Sequence, residues 1–157
     1  MGMTPDEFFD VFVLGNYEDF LEREDCLRRA FNAAVAASHM TDHYYNYCYR
    51  YFPKKVSQFP KLSSYKRHLS KKSPFFNDIQ SIANAYKHLY QKKPHKPYVT
   101  VSSAATIEVV KTRNLEILAE LPEYVVYKNV KSGRIIKLST ALQSLIDMWR
   151  KEIKELP

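Results

Sequence analysis

Three groups of residues carry side chains suited to chemistry. The first is His39, Asp42 and His43, at i, i+3 and i+4 of a candidate helix, a spacing that makes them neighbours on the helix surface. Two imidazoles and one carboxylate can hold a divalent transition metal. They form half a motif, because His-Glu-x-x-His is absent and no second His-rich segment stands at ligand spacing. The other reading makes Asp42 a structural partner of a cation on a neighbouring helix. The expectation is no metal and no cofactor, with these three kept as the candidate ligands and as contact residues.

The second group lies in residues 82–88, IANAYKH. On a helical wheel Asn77, Ser81, Asn84 and His88 form one polar line, and Lys87 sits beside the apolar stripe. Cleavage of RNA at a 2′-hydroxyl needs a base of near-neutral pKa and a cation for the phosphate. His88 suits the first role, Lys87 the second, and Asn84 is a polar neighbour. A solvated helix face accounts for the same pattern.

The third group is the run DHYYNYCYRYF, residues 42–52, which feeds a basic connector. Interleaved aromatic and basic side chains can stack bases and hold phosphates. The wheel turns Tyr44 and Tyr47 outward and places Tyr45, Tyr49 and Phe52 on the core stripe. The cations are Arg50, Lys54, Lys55, Lys66, Arg67, Lys71 and Lys72. Core packing or a dimer interface also explains the tyrosines.

Two long helices with a polar histidine late in the second resemble the HEPN superfamily. Its signature is an Arg, usually followed by Asn or another polar residue, with a His four to six residues after the Arg. Asn84 and His88 match the polar residue and the histidine, and Ala83 stands where the Arg would be. The resemblance covers residues 25–92 at most. It implies a small helical bundle, and for complete motifs a ribonuclease of toxin and defence systems acting across a dimer interface. With Ala83 in place, it implies a binding module without catalysis.

These groups need elements to carry them. Thr4 and Pro5 open a short helix, PDEFFDVFVLG, expected to end at Gly15, with a second segment from Asn16. Asp25 is expected to cap the longest helix, which Pro53 stops. Its stripe is Leu27, Ala30, Phe31, Ala34, Ser38, Thr41, Tyr45, Cys48, Tyr49 and Phe52. Residues 53–73 form the basic connector, with one short helix around SSYKRHL. The next helix starts at Ser73-Pro74 with the stripe Phe75, Ile79, Ile82, Ala83, Tyr86 and Tyr90. The period then changes to two. Residues 98–111 read as one or two strands, and residues 124–138 as a hairpin turning at Lys131-Ser132-Gly133. Ser139-Thr140 is expected to cap a last amphipathic helix. The fold class is therefore mainly α, a helical bundle (about 1–93) with a small antiparallel sheet (about 98–138) and a C-terminal helix. One domain, 1–157, is expected.

The totals agree with a folded chain. Of 157 residues, 45% are hydrophobic and 14% aromatic, too many for a disordered segment. Three glycines disfavour Gly-rich nucleotide loops, and no P-loop, G-x-G-x-x-G or G-x-S-x-G occurs. No apolar run reaches membrane-spanning length and the N-terminus is not a secretory signal. Cys26 and Cys48, roughly 33 Å apart if one helix holds both, cannot pair, and a reducing, cytoplasmic location is expected.

The net charge of +7 is unevenly spread. Residues 1–42 hold nine acids against three Lys or Arg, and residues 43–107 one acid against twelve. The basic middle suits RNA or an acidic protein partner; the bland alternative is that it faces the acidic N-terminal part, in the same chain or in a partner. The leading expectation is a non-catalytic binding module acting on RNA or protein, with a homodimer expected. The alternatives are a divergent metal-independent ribonuclease with His88 as base, and a metal-binding bundle using His39, Asp42 and His43.

Overall fold

A computed structural model describes residues 2–87, 101–103, 107–111, 123–129 and 131–157. The helical elements are α1 (Pro5–Phe8), a π-helical stretch (Phe9–Leu14), α2 (Gly15–Glu22), α3 (Leu27–Tyr51), α4 (Pro53–Val56), α5 (Leu62–Ser70), α6 (Phe76–Lys87) and α7 (Leu138–Lys154). The strands are β1 (Val101–Ser103), β2 (Ile107–Lys111), β3 (Val125–Asn129) and β4 (Ile135–Lys137). They form an antiparallel sheet in the order β1-β2-β3-β4, with Val109 opposite both Val101 and Tyr127. The fold is thus mainly helical, with a small antiparallel sheet placed before the C-terminal helix.

The N-terminal segment starts as its residue types require. Thr4 Oγ1 accepts from Glu7 N–H, and the Glu7 carboxylate accepts from Thr4 N–H at 2.8 Å, a reciprocal cap. Gly15 does not end the helix. It keeps helical dihedrals of −57° and −48°, and the chain stays helical from Pro5 to Glu22. A glycine ends a helix through a left-handed backbone, and Gly15 does not adopt one.

Two further caps differ from expectation. Cys26, in extended conformation, precedes α3 without a side-chain cap, while Asp25 turns to Arg23 at 3.0 Å. Helix α7 begins at Leu138 after Lys137, so Ser139 lies inside it and is buried.

Helix α3 is the centre of the bundle. Ala30, Ala33, Ala34, Ala36 and Ala37 are all buried, and such small residues let α2 and α6 approach closely. Pro53 closes it as expected. On α6 the buried stripe is Phe76, Ile79, Ile82 and Ala83, with Ala85 beside it. Phe75 is only half-buried and Tyr86 is 40% exposed, so the stripe is rotated from the expected one.

The sheet joins the same core: Ile107, Val109, Val125 and Tyr127 cluster with the helical residues. Tyr127 donates to Asp78 of α6 at 2.8 Å. Val125 N–H donates to the Glu24 carbonyl at 2.7 Å, and Lys137 pairs with Glu24. The hairpin turns where the sequence indicates. Gly133 has φ of 71°, a conformation glycine adopts without strain, and the Asn129 side chain accepts from Lys131 and Ser132 N–H.

Candidate nucleic-acid interface

The tyrosine-rich end of α3 divides into an inside and an outside. Tyr44 is buried at 4% exposure, against the expectation that it faces outward. Its ring stacks on Tyr65 of α5 at 5.9 Å and tilts against Trp149 of α7 at 5.4 Å. Its hydroxyl donates to the Glu152 carbonyl at 3.3 Å. The wheel fails here because α5 and α7 both cross over this side of α3, widening its buried arc. Burial pushes the Tyr44 and Tyr65 phenols far above the usual tyrosine range, with the Glu152 charge adding to it. Burial likewise raises the Cys48 thiol.

The opposite correction applies to Tyr49, expected in the core and 67% exposed. Tyr51 is 38% exposed, with the Arg50 guanidinium 5.4 Å from its ring centre. Tyr47 is half-buried and packs on Tyr51 at 4.8 Å. Tyr45 stays in the core as expected and donates to the Phe59 carbonyl at 2.8 Å. That bond holds the connector against the last turns of α3.

The connector's cations separate into anchors and free groups. Lys66 pairs with Asp42 at 3.0 Å. Lys72 pairs with the buried Glu152 of α7, and Lys55 donates to the Glu155 carbonyl. These three tie the connector to α3 and α7. Arg50, Lys54, Lys61, Arg67 and Lys71 are exposed, and none is in an ion pair among the described residues. Lys61 was not singled out by sequence, although it belongs to the same charge run.

The other candidate groups are placed differently. His43 stacks on Phe8 at 4.5 Å and its Nε2 lies 2.9 Å from the Met3 carbonyl. Asp42 faces Lys66, and His39 is exposed beside Phe12 and Tyr86 in a small cleft. Among the described residues no three metal-ligating side chains converge. Asn84 is exposed on α6, while Ala83 is 2% exposed and faces the core. His88 and the Lys87 side chain lie outside the described residues.

Two concavities have no counterpart in the sequence reading. One, of about 890 Å³, runs along α7 past Tyr17, Lys72, Gln143, Asp147 and Lys151. Its polar groups largely satisfy one another: Tyr17 donates to Gln143 at 2.9 Å and Gln143 to Asp147 at 3.0 Å. The other is an apolar cleft of about 290 Å³ between α1, α3 and α6. Both arise from elements distant in sequence, so no local pattern announces them.

Cys26 and Cys48 are both free thiols. Among the described residues no helix is long and apolar enough to cross a membrane. No family model, curated protein or solved structure matches the chain.

Proposed function

We propose that the chain is a binding module that holds single-stranded RNA on the surface formed by the end of α3 with α4 and α5. The observation that supports this is the set Arg50, Lys54, Lys61, Arg67 and Lys71, exposed and in no ion pair among the described residues, beside the exposed Tyr49 and Tyr51. Cations track a phosphate backbone, and exposed rings offer faces on which any base can stack. The anchoring bonds of Lys55, Lys66 and Lys72 hold that surface in place before binding, which lowers its ordering cost. The function is binding rather than cleavage, since position 83, where the resembled family carries its Arg, is a buried alanine.

Fluorescence anisotropy with a labelled single-stranded RNA tests the reading. Affinity is expected to fall with salt at a slope of about −0.7 per phosphate contacted. Binding undetectable at low salt overturns the proposal. So does equal affinity for polyglutamate, which would indicate an acidic protein partner.

A further inference from the structure

The apolar cleft between α1, α3 and α6 is built against a widened helical turn. Its floor is one stripe of α3, Asn32, Val35, Ala36 and His39, at i, i+3, i+4 and i+7. Seven residues of helical rise make it about 10 Å long. One wall is Phe8, Phe12 and Asn16, spaced by four residues along the N-terminal helix. In an α-helix residues so spaced drift by about 40° per step. The π-helical stretch Phe9–Leu14 has a wider turn, which reduces the drift and keeps the three on one side. Tyr86 of α6, its ring 5.3 Å from that of Phe31, supplies a further wall. Phe12 and Tyr86 are 43% and 40% exposed, so both offer ring surface to an occupant.

The two ends of this trough are polar and differ. The N-terminal helix runs antiparallel to α3, since Phe8 stacks on His43 at 4.5 Å and Arg29 donates to the Asp19 carbonyl at 2.7 Å. Asn16 therefore lies towards Asn32, and Phe8 towards His39. The Asn16 amide N–H donates to the Phe12 carbonyl at 2.7 Å, which orients the amide and leaves its oxygen to accept. Among the described residues that oxygen and the side chains of Asn32 and His39 have no hydrogen-bond partner. Among the described residues no Lys, Arg, Asp or Glu lines the cleft, so a charged occupant would lose its hydration without gaining a counter-ion. The six acids of Pro5–Glu22, with no Lys or Arg among them, disfavour an anion further.

We infer that the cleft is a binding site for an uncharged aromatic small molecule with a hydrogen-bonding group at each end, one meeting the amides of Asn16 and Asn32 and the other His39. An amide offers donor and acceptor together, and the imidazole offers either according to its tautomer. The ligand ring packs against Phe12 and Tyr86, where aromatic contacts add to the apolar area removed from water. A volume of about 290 Å³ lies at the lower limit for small-ligand sites and admits one ring system rather than a polymer segment. The site shares no residue with the RNA surface and stands independently of that reading.

Titration of para-hydroxybenzamide into the isotope-labelled chain, followed by amide NMR, tests it. Saturable shifts are expected at the side-chain amides of Asn16 and Asn32 and at the backbone of Val35 and Ala36. For a probe of about ten heavy atoms the expected Kd is on the order of 1 mM. Para-hydroxybenzoate, of the same shape with a charged end, is expected to bind at least about tenfold more weakly. Asn32→Leu and His39→Ala are each expected to weaken binding about fivefold, with circular dichroism confirming that both variants are folded. Absence of a saturable shift overturns the inference, and so does equal binding of the two probes. Shifts centred on α7, or affinity unchanged in both variants, also overturn it. Displacement of the probe by single-stranded RNA overturns it as a separate site.

Discussion

Tyr44 and Tyr49 lie five residues apart on one helix, in the same run of tyrosines, and do opposite things. Tyr44 is closed in by Tyr65 and Trp149, while Tyr49 projects from the surface beside Arg50. Residue type and local composition are nearly identical around them. What separates them is which later elements fold back over each side of α3. The same contrast divides the connector's lysines. Lys66 and Lys72 are anchors, and Lys54 and Lys71 are exposed and in no ion pair among the described residues. An aromatic, basic stretch is therefore two objects at once, a buried brace and an exposed surface.

The sharpest way to break this division is to truncate one member of each side. Trp149→Ala is expected to lose about 3–5 kcal/mol of stability in urea unfolding, as for other fully buried aromatics, and Trp149 has no exposure. Tyr49→Ala should stay within about 0.5 kcal/mol, as surface changes do. Equal losses from the two would mean that the inside and outside assignments are wrong. Tyr49→Ala should instead cost about 1–3 kcal/mol of RNA affinity, the scale of one stacked base; unchanged affinity would remove Tyr49 from the interface.

The anchor assignment has its own test. Lys72→Met leaves Glu152 buried without its cation, and Glu152 is 7% exposed. Because Lys72 itself is partly solvated, the loss should be about 1–2 kcal/mol rather than the full cost of a buried pair. A matching Lys54→Met should leave stability unchanged and reduce the salt slope of RNA binding by about 0.7. Thermal unfolding and anisotropy on both variants would expose any exchange of roles.

The smallest effect concerns the buried phenols. The folded state holds the protons of Tyr44, Tyr65 and Tyr127 more tightly than the unfolded chain, chiefly through burial. Their contribution is full below about pH 10, the unfolded tyrosine value, and is lost as pH rises towards the folded values. Stability should therefore fall above that pH. The Tyr65 hydroxyl has no hydrogen-bond partner among the described residues, so Tyr65→Phe should change neutral-pH stability by less than about 1 kcal/mol. It should also flatten the alkaline limb; a limb as steep as the parent's would show that Tyr65 titrates near the usual value.

Much of the architecture was legible because it rests on local chemistry. Pro53 lacks the N–H that would continue α3, and Gly133 takes the positive φ that its turn needs. Alternating β-branched residues in 107–111 and 125–129 became paired strands. Expectations failed where a local signal lacked its geometry. Gly15 never leaves the helical region, and Ser139 lies within α7 instead of before it. The candidate site was legible only as a composition. The charge run 50–72 was visible, but the division between anchored and free cations depends on Asp42, Glu152 and Glu155.

The sequence by itself determined the helical class, the positions of α3 and α7 and the hairpin, because backbone preferences and the period of apolar residues act within a few residues of one another. It also set the charge division between the first 42 residues and the next 65. Only the tertiary structure decided which tyrosines are core and which cations are left without an ion pair among the described residues. Those outcomes depend on contacts such as Tyr44 with Glu152, 108 residues apart, and burial is a property of the elements that arrive from elsewhere in the chain rather than of the residue that they cover.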